Sequence, residues 1–270
     1  MCVSSRSFRN FFQSTRESAG PDPAERLVLL DLPQIVADRY KVHNLDFVAA
    51  HFASLEPAYL SELKWNLSGA HSRLVNIAVG VKELQKGAGL SDDDPAVRAA
   101  ALEACKKWID VARQLGARSV SCDAGAVDPA NLTITIESFR SLAVYGRSKS
   151  IAVLIENDGE TETARIEALA HIFRAVGGPF LGALPDFGNF PDNEVRLREL
   201  PILFAYARTV CHAKGLKLDA NGNETAFDFA KCVQIAKNVG FRGLYSIEYA
   251  DSGNAYLGVQ TIVDELVRFL

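Results

Sequence analysis

The sequence predicts an α/β protein folded as a single (β/α)8 TIM barrel. From about residue 42 onward, short apolar or β-branched runs alternate with longer segments that have the period of an amphipathic helix. This repetition indicates parallel strands joined by crossover helices, because a tight turn cannot join parallel neighbours. The length of 270 residues suits one such barrel, which commonly has about 250 residues. We therefore expect one domain over residues 1–270.

The expected strands are short and rich in apolar residues. A closed barrel needs eight of them, and the segment near the amino terminus is the one candidate for the first strand. An irregular loop, rich in Gly and Pro, is expected at residues 18–23. In chain order, the predicted strands are residues 2–5, 44–50, 74–79, 119–123, 152–156, 180–185, 209–212 and 243–249.

The helices are predicted from their apolar period and from residues typical of helix ends. Residues 96–115 follow Asp94 and Pro95 and stop at Gly116, which favours a long amphipathic helix. Residues 225–228 resemble a capping box, which would open a helix that closes at Gly240. Further helices are expected at residues 32–40, at 164–176, from 196 onward and at 259–270.

Composition and charge narrow the classes of function. The chain is 48% apolar with 29 basic and 33 acidic residues, so the basic excess of a nucleic-acid-binding protein is absent from the sequence. No run reaches the roughly 18–20 uncharged apolar residues of a membrane-spanning helix, and the first ten residues do not resemble a secretory signal. The five widely spaced cysteines are typical of a reducing compartment. We expect a cytoplasmic protein with a small-molecule partner, no nucleic-acid or membrane partner, and an oligomeric state compatible with a homo-oligomer.

Four polar residues end late strands, where the strands of such a barrel open into a common mouth. They are separated by 30, 26 and 36 residues, close to the roughly 31 residues expected for one strand and helix unit of such a barrel. A single acidic residue after a strand is more often a helix cap or a solvated loop residue. The regular placement of the whole set favours a shared site formed by Glu156, Asp186, His212 and Glu248.

Three carboxylates and one imidazole would form a costly cluster of negative charge unless a cation neutralised it. Mixed carboxylate and imidazole ligands suit Mn, Mg, Co or Zn, and the lack of cysteine at these strand ends argues against a structural zinc site. We therefore expect one divalent metal ion, of undetermined identity, bound by these four residues.

Several short strings around these residues resemble the xylose isomerase-like TIM barrel superfamily of sugar phosphate isomerases, epimerases and apurinic endonucleases. The resemblance spans residues 42–270, and its most specific part is the string that runs from Gly240 to Glu248. It implies a (β/α)8 barrel that holds one divalent metal through the four residues above. In the ketose epimerases of this superfamily, the two metal-bound glutamates also exchange the substrate proton. The strings are Leu154 to Asn157, Pro185 to Asn189, His212 to Lys214 and Gly240 to Glu248.

The resemblance implies roles for residues beside the metal. Lys214 matches the lysine of the superfamily's His-x-Lys-Asp string and is assigned to catalysis beside the two glutamates, a solvated loop lysine being the alternative. Asn157 and Asn189 are assigned to substrate binding, together with His51, which follows an early strand. The chain departs from the superfamily at Asn189, where a histidine is frequent, and at Gly215, where an aspartate is usual. Asn189 can form hydrogen bonds but cannot exchange protons near neutral pH.

The resemblance, together with these residues, implies a divalent-metal-dependent isomerase or epimerase that acts on a sugar, sugar phosphate or related polyol ketone. The chemistry is proton abstraction next to a carbonyl through an enediolate, because a fixed cation stabilises the charge that develops on oxygen. A dehydratase that uses the same metal site, and an inactive barrel that only binds a sugar, remain alternatives. An apurinic endonuclease is disfavoured, because the superfamily's endonucleases hold three zinc ions with a histidine-rich set and this chain has only five histidines. Asp46, inside the early strand, is predicted to be a buried hydrogen-bonding group.

Overall fold

The fold is that of a computed structural model, which describes residues 1–16, 26–80, 84, 89–125, 127–157, 163–219 and 222–270. The loop predicted at residues 18–23 lies outside the described residues. The remaining predictions of strands and helices fall within them.

The described residues form eight parallel strands in one sheet. The strand order is β6-β5-β4-β3-β2-β1-β8-β7, so β1 to β6 pair in chain order, β7 pairs with β8, and β1 pairs with β8. The predicted bounds differ from the observed ones by no more than three residues at either end. The strands are β1 Cys2–Ser4, β2 Asn44–Val48, β3 Arg73–Val79, β4 Ser119–Cys122, β5 Ala152–Glu156, β6 Leu181–Leu184, β7 Val210–Gly215 and β8 Leu244–Tyr249.

The two outer strands of this sheet, β6 and β7, meet and close the barrel. Two isolated parallel bridges join Ala183 to Ala207 and Asp186 to His212. At the second bridge, the backbone N–H of His212 donates to the Pro185 carbonyl at 2.8 Å, and the N–H of Phe187 donates to the His212 carbonyl at 3.1 Å. The closing seam is therefore pinned at the end of the barrel where Asp186 and His212 lie.

A helix follows each strand in the described chain, as a (β/α)8 barrel requires. The longest, predicted at residues 96–115, is capped by the Asp94 carboxylate, which accepts from the Ala96 N–H, and ends at Gly116 with a φ of 78°. The helices are α1 Leu32–Tyr40, α2 Pro57–Gly69, α3 Pro95–Leu115, α4 Thr133–Lys149, α5 Thr163–Val176, α6 Asn193–Tyr206, α7 Phe229–Val239 and α8 Ala255–Val267. None of the described helices combines the length and the hydropathy that a bilayer crossing requires.

Two predicted helix starts are wrong. The capping box at residues 225–228 does not form, because the Thr225 hydroxyl donates to the Lys217 carbonyl and Asp228 alone caps α7 through the Lys231 N–H. The last helix begins at Ala255 rather than at residue 259, because the side chain of Asn254 accepts hydrogen bonds from two backbone N–H groups of its first turn.

Helix α4 was not predicted, because its buried face does not stand out as an apolar period. That face includes Thr135, Ser138 and Gly146 beside its apolar residues. Gly146 is required there, since a Cβ atom at this position would lie 2.4 Å from the Ile151 carbonyl oxygen. Helix α2 was missed as well, since it buries only three leucines.

Most of the apolar core lies between the sheet and the surrounding helices. A second, smaller cluster includes Ala152 and Leu154 of β5, whereas Val153 and Ile155 belong to the larger core. Because side chains alternate across a strand, Glu156 shares the face of β5 that carries Ala152 and Leu154. This register places its carboxylate at the end of the barrel interior.

Candidate metal centre

Strands β5, β6 and β7 bring three predicted metal ligands together. Glu156 is the last residue of β5 and Asp186 follows β6 by two residues. His212 is the third of the six residues of β7, because this strand continues to Gly215 instead of ending at His212 as predicted. One ligand atom from each lies within 4.8 Å of the others. Asp186 and His212 are buried, and Glu156 is partly buried. The three side chains thus form a compact set of donors at the closing seam of the barrel.

The imidazole of His212 is the centre of this set. Its Nδ1 atom lies 3.0 Å from Oε1 of Glu156 and 3.4 Å from Oδ2 of Asp186. Oε2 of Glu248, the fourth predicted ligand, lies 3.5 Å from the same nitrogen. Glu248 is outside the group of three that falls within 4.8 Å, so it borders the set on the side of β8.

The other ring nitrogen of His212 faces Asp46 of β2 across the barrel interior. Nε2 lies 3.1 Å from Oδ2 of Asp46, which also accepts a hydrogen bond from the Ser246 hydroxyl at 3.1 Å. The side-chain amide of Asn76 donates to the other Asp46 oxygen at 3.0 Å. Because Asp46 is held as an acceptor, Nε2 of His212 is the protonated donor, and Nδ1 is the atom directed at the carboxylates.

Lys214 lies between the carboxylates on the mouth side. Its ammonium group donates to Oδ2 of Asp186 at 3.1 Å, to Oδ1 of Asn189 at 3.0 Å and pairs with Oε1 of Glu248 at 2.9 Å. The amide nitrogen of Asn189 in turn donates to Oε1 of Glu156 at 3.3 Å. The predicted lysine is therefore part of the cluster and not a solvated loop residue.

The two glutamates have opposite pKa shifts. Burial is the main influence on Glu156 and raises its pKa to about 7, although His212 acts in the opposite direction. Burial also favours the neutral form of Glu248, but Lys214 and His212 outweigh it and hold the pKa of this group below its ordinary value. The pKa of Asp186 is likewise lowered, because Lys214 and His212 outweigh the effect of burial. One glutamate is thus disposed to hold a proton near neutral pH, and the other to remain ionised.

The same carboxylates favour positive charge on their neighbours. Burial would lower the pKa of His212, but Glu156, Asp186 and Asp46 raise it well above the ordinary value. The pKa of Lys214 is raised in the same way by Asp186 and Glu248. The site therefore attracts a cation, whether this is a proton on the imidazole or a divalent ion. Carboxylate oxygens with one imidazole nitrogen are donors that fit Mn, Mg, Co or Zn.

A cavity of about 320 Å³ opens beside the cluster at the barrel mouth. Glu156, His212, Lys214 and Glu248 line its inner end, and Arg6, just after β1, lines it near the entrance. The volume suits a small ligand with a few polar groups.

Comparison with known protein families gives a match that agrees with the observed barrel. The family described as xylose isomerase-like TIM barrel matches residues 40–270, most of the chain and all of β2 to β8. The chain belongs to the xylose isomerase-like TIM barrel family. No curated protein matches the sequence.

Solved structures of this fold superimpose on nearly the whole chain. The IolI protein with a bound zinc atom has a TM-score of 0.73 at 13% identity and covers 99% of this chain and 96% of its own. D-psicose 3-epimerase with D-tagatose, from Clostridium cellulolyticum H10, has a TM-score of 0.72 at 12% identity and covers 99% and 98%. The probable 3-DHS dehydratase AsbF, involved in petrobactin synthesis in Bacillus anthracis, has a TM-score of 0.67 at 12% identity and covers 98% of both chains. The similarity is one of fold.

None of the three residues predicted to bind substrate, Asn157, Asn189 and His51, is among the described residues that line this mouth cavity. The side chain of Asn157 is fully buried: its oxygen accepts from the Asp186 N–H at 2.7 Å, and its nitrogen donates to the carbonyls of Asp186 and Asn189 at 3.1 and 3.2 Å. Asn157 therefore fixes the backbone of the loop that carries Asp186.

His51 is also buried and engaged on both ring nitrogens. Its ring stacks on Phe12 with 3.8 Å between centroids, Nδ1 lies 2.9 Å from the Ser5 hydroxyl, and Nε2 lies 2.9 Å from the Thr15 hydroxyl. Burial lowers the pKa of His51 to about 3, and nearby Arg6 acts in the same direction. The structure thus places a neutral imidazole behind the amino-terminal segment, away from the mouth cavity.

Two residues of the site were not identified by sequence reasoning. Asp46 was expected to be a buried hydrogen-bonding group, which is confirmed, but its contact with His212 was not foreseen. The signal available in the sequence for Asp46 was a carboxylate in the middle of a strand predicted to be buried. Arg6 follows the shortest strand and had no signal other than its position just beyond that strand.

Proposed function

We propose that this family member is a divalent-metal-dependent isomerase or epimerase acting on a sugar, sugar phosphate or related polyol ketone. The observation that carries the proposal is that Glu156 of β5 and Glu248 of β8 both approach Nδ1 of His212 at the inner end of one cavity. Two carboxylates that reach one site from different strands can serve the two faces of a single carbon.

Glu156, Asp186, His212 and Glu248 are the residues that would hold the ion. When bound, a divalent ion supplies positive charge that stabilises an enediolate oxygen. Its identity among Mn, Mg, Co and Zn is open, since oxygen and imidazole donors suit all four.

Glu156 and Glu248 are the two proton-transfer groups. One carboxylate accepts the proton from the substrate carbon, and the other returns a proton to the opposite face. Lys214 and His212 hold the pKa of Glu248 below its ordinary value, which favours its ionised form.

Lys214 and Asn189 complete the set. The ammonium group of Lys214 can donate to a substrate hydroxyl or oxyanion from its position between Asp186 and Glu248. Asn189, held by Lys214 and Glu156, can contribute a hydrogen bond but no proton. Lys214, which lines the cavity, would orient the carbon chain there, and Asn189 would hold Lys214 in place.

The proposal includes the expected setting of the protein. We propose a cytoplasmic protein with a sugar-like small molecule as its partner, no nucleic-acid or membrane partner, and a homo-oligomeric state as an open option. The near-equal numbers of basic and acidic residues support the absence of a nucleic-acid partner.

The test is solvent deuterium exchange into a ketose, with Mn²⁺ added and with EDTA. We expect metal-dependent incorporation of deuterium next to the carbonyl without loss of water. The Glu248→Gln variant should lower the rate by at least about 10²-fold, because it removes a proton-transfer group. Its thermal unfolding should still be cooperative, and the exposed Glu62→Gln serves as the matched control.

Other outcomes of this experiment would replace the proposal. Loss of water with a conjugated product would indicate the dehydratase, for which the same residues would serve. Sugar binding without exchange would indicate an inactive binding barrel. Full activity of Glu248→Gln would remove the assigned role of that residue.

A further inference from the structure

Arg6 is a cationic side chain that the proposed proton transfer does not use. It is the second residue of the 3-10 helix Ser5–Phe11, which directly follows β1, and it lines the barrel-mouth cavity. Its Nε atom lies 3.3 Å from Oε1 of Glu248, the oxygen that also pairs with Lys214. The guanidinium group therefore borders the proposed reaction site.

The backbone on both sides of Arg6 is fixed. The hydroxyl of Ser5 accepts from the Val48 N–H at 2.9 Å. Ser7 donates to the Ile247 carbonyl at 3.1 Å and accepts from the Tyr249 N–H at 2.9 Å. These buried bonds tie the segment to β2 and β8, so the arginine side chain extends from a rigid base.

Part of the guanidinium remains available to a ligand. The Arg6 side chain is 54% exposed, whereas that of Lys214 is 12% exposed and already has three partners. Within the described residues, the terminal nitrogens of Arg6 have no hydrogen-bond partner. An arginine presents its donors as a planar fork that matches a carboxylate or phosphate with two parallel bonds.

The surroundings of Arg6 favour a single anionic group. The wall of the cavity includes the apolar Val48, Ala78 and Val79, and Arg6 is the one arginine among its described lining residues. The acidic Asp123 at the mouth is paired with Arg165, with 3.6 Å between Oδ1 and Nη2. A neutral polyol would leave the terminal nitrogens of Arg6 without a charged partner, since only its Nε faces Glu248.

We propose that Arg6 forms an anion subsite, which binds a carboxylate or phosphate group at the end of the substrate distant from the reacting carbon. The inference rests on the proposed function, and it narrows the substrate from sugars in general to acidic or phosphorylated sugars. The inner end of the cavity holds the carbonyl side of the molecule, and Arg6 holds its charged terminus.

The test compares ligands that differ only at carbon six. D-glucose, D-glucuronate and D-glucose 6-phosphate offer no charge, a carboxylate and a phosphate at that carbon. Binding is measured by isothermal titration calorimetry on the full chain with Mn²⁺ present, and again with EDTA. We expect one or both anions to bind at least about tenfold more tightly than D-glucose, as charge-assisted hydrogen bonds allow. Which anion binds more tightly decides between the carboxylate and the phosphate.

Variants test whether Arg6 causes the preference for the anions over D-glucose. Arg6→Gln should abolish the preference for the anions while leaving the affinity for D-glucose within about twofold, and Arg6→Lys should retain only part of it, because the fork is lost. The exposed Arg242→Gln, on the segment that precedes β8, should behave as the unaltered protein. Thermal unfolding of each variant shows that the barrel is intact.

The binding readout separates this proposal from the isomerase proposal. Equal affinity for the three ligands, no measurable binding of either anion, or an anion preference that survives in Arg6→Gln would overturn the subsite. An Arg6-dependent anion preference without any deuterium exchange would keep the subsite and overturn the reaction. Deuterium exchange into a neutral ketose, together with equal affinity for the three ligands, would keep the reaction and overturn the subsite.

Discussion

At the scale of single residues, the direction of the His212 imidazole decides what the centre can bind. Asp46 accepts from Nε2, so that Nδ1 is turned towards Glu156, Asp186 and Glu248. A carboxylate behind a metal-binding histidine fixes both the tautomer and the ring orientation. Asp46 is thus a positioning residue for the proposed metal ligand.

The Asp46→Asn variant tests this role. We expect the affinity for Mn²⁺ or Zn²⁺ to fall by about 10- to 100-fold, because the amide no longer favours the tautomer with a free Nδ1. Metal titration by calorimetry measures the change, and the exposed Asp38→Asn is the control. An unaltered affinity, with the fold intact, would contradict the positioning role.

At the scale of elements, the amino-terminal segment is attached to β2 through a chain of hydrogen bonds that depends on neutral His51. Ser5 accepts from the Val48 N–H, so its hydroxyl proton is directed to Nδ1 of His51 at 2.9 Å. Nε2 of His51 then donates to Thr15, whose hydroxyl donates to the Arg9 carbonyl at 2.7 Å. Each donor has one acceptor only when the imidazole is neutral.

This chain predicts an acid-dependent contribution to stability. The pKa of His51 is about 3 in the folded protein and 6.5 ordinarily, so between these values the unfolded chain binds a proton that the folded chain does not. The contribution is fully present above pH 6.5 and is lost as the pH falls towards 3, at up to about 1.4 kcal/mol per pH unit.

The measurement is the free energy of unfolding of the protein and of His51→Phe over this pH range. The variant keeps the ring stacked on Phe12 but loses both hydrogen bonds, so it should be less stable at neutral pH by about 1–3 kcal/mol. The difference should narrow as the pH falls below 6.5. A constant difference would show that His51 is not held neutral, and the exposed His171→Gln should leave the profile unchanged.

At the scale of the whole molecule, the barrel closes at its proposed metal centre. Neighbouring strands elsewhere pair over at least two consecutive positions, as for β1 with β2, and over up to six, as for β7 with β8. The seam between β6 and β7 consists of two isolated bridges, one of which joins Asp186 to His212. A cation held by both side chains would connect the two edges of the sheet.

Hydrogen exchange followed by mass spectrometry tests this coupling. We expect Mn²⁺ to slow exchange of the seam amides, those of Phe187 and His212, by up to about 100-fold at a metal concentration 100 times its dissociation constant. Amides between β2 and β3 should change less. Equal protection throughout the barrel would contradict a local effect at the seam, and Asp186→Asn should remove the protection.

The sequence determined the repeating strand and helix pattern and the placement of Glu156, Asp186, His212 and Glu248 in or just after four successive strands. These features depend on local composition and on one topological rule, that parallel strands open their carboxyl ends to the same side. The starts of α7 and α8 were harder to predict from the sequence, because several side chains near each start could cap the helix. Only the contacts in the folded chain show which side chain is the cap.

Only the tertiary structure decided which other polar residues reach the site. Asp46 and His212 are 166 positions apart, and the residues that fix Arg6 bond to β8 across 240 or more positions. The same three-dimensional contacts direct Asn157 and His51 to other partners and place Arg6 at the mouth. The physical reason is that a polar side chain forms a hydrogen bond with whichever partner the closed sheet brings within about 3 Å. The spacing of residues along the chain does not indicate which partner that is.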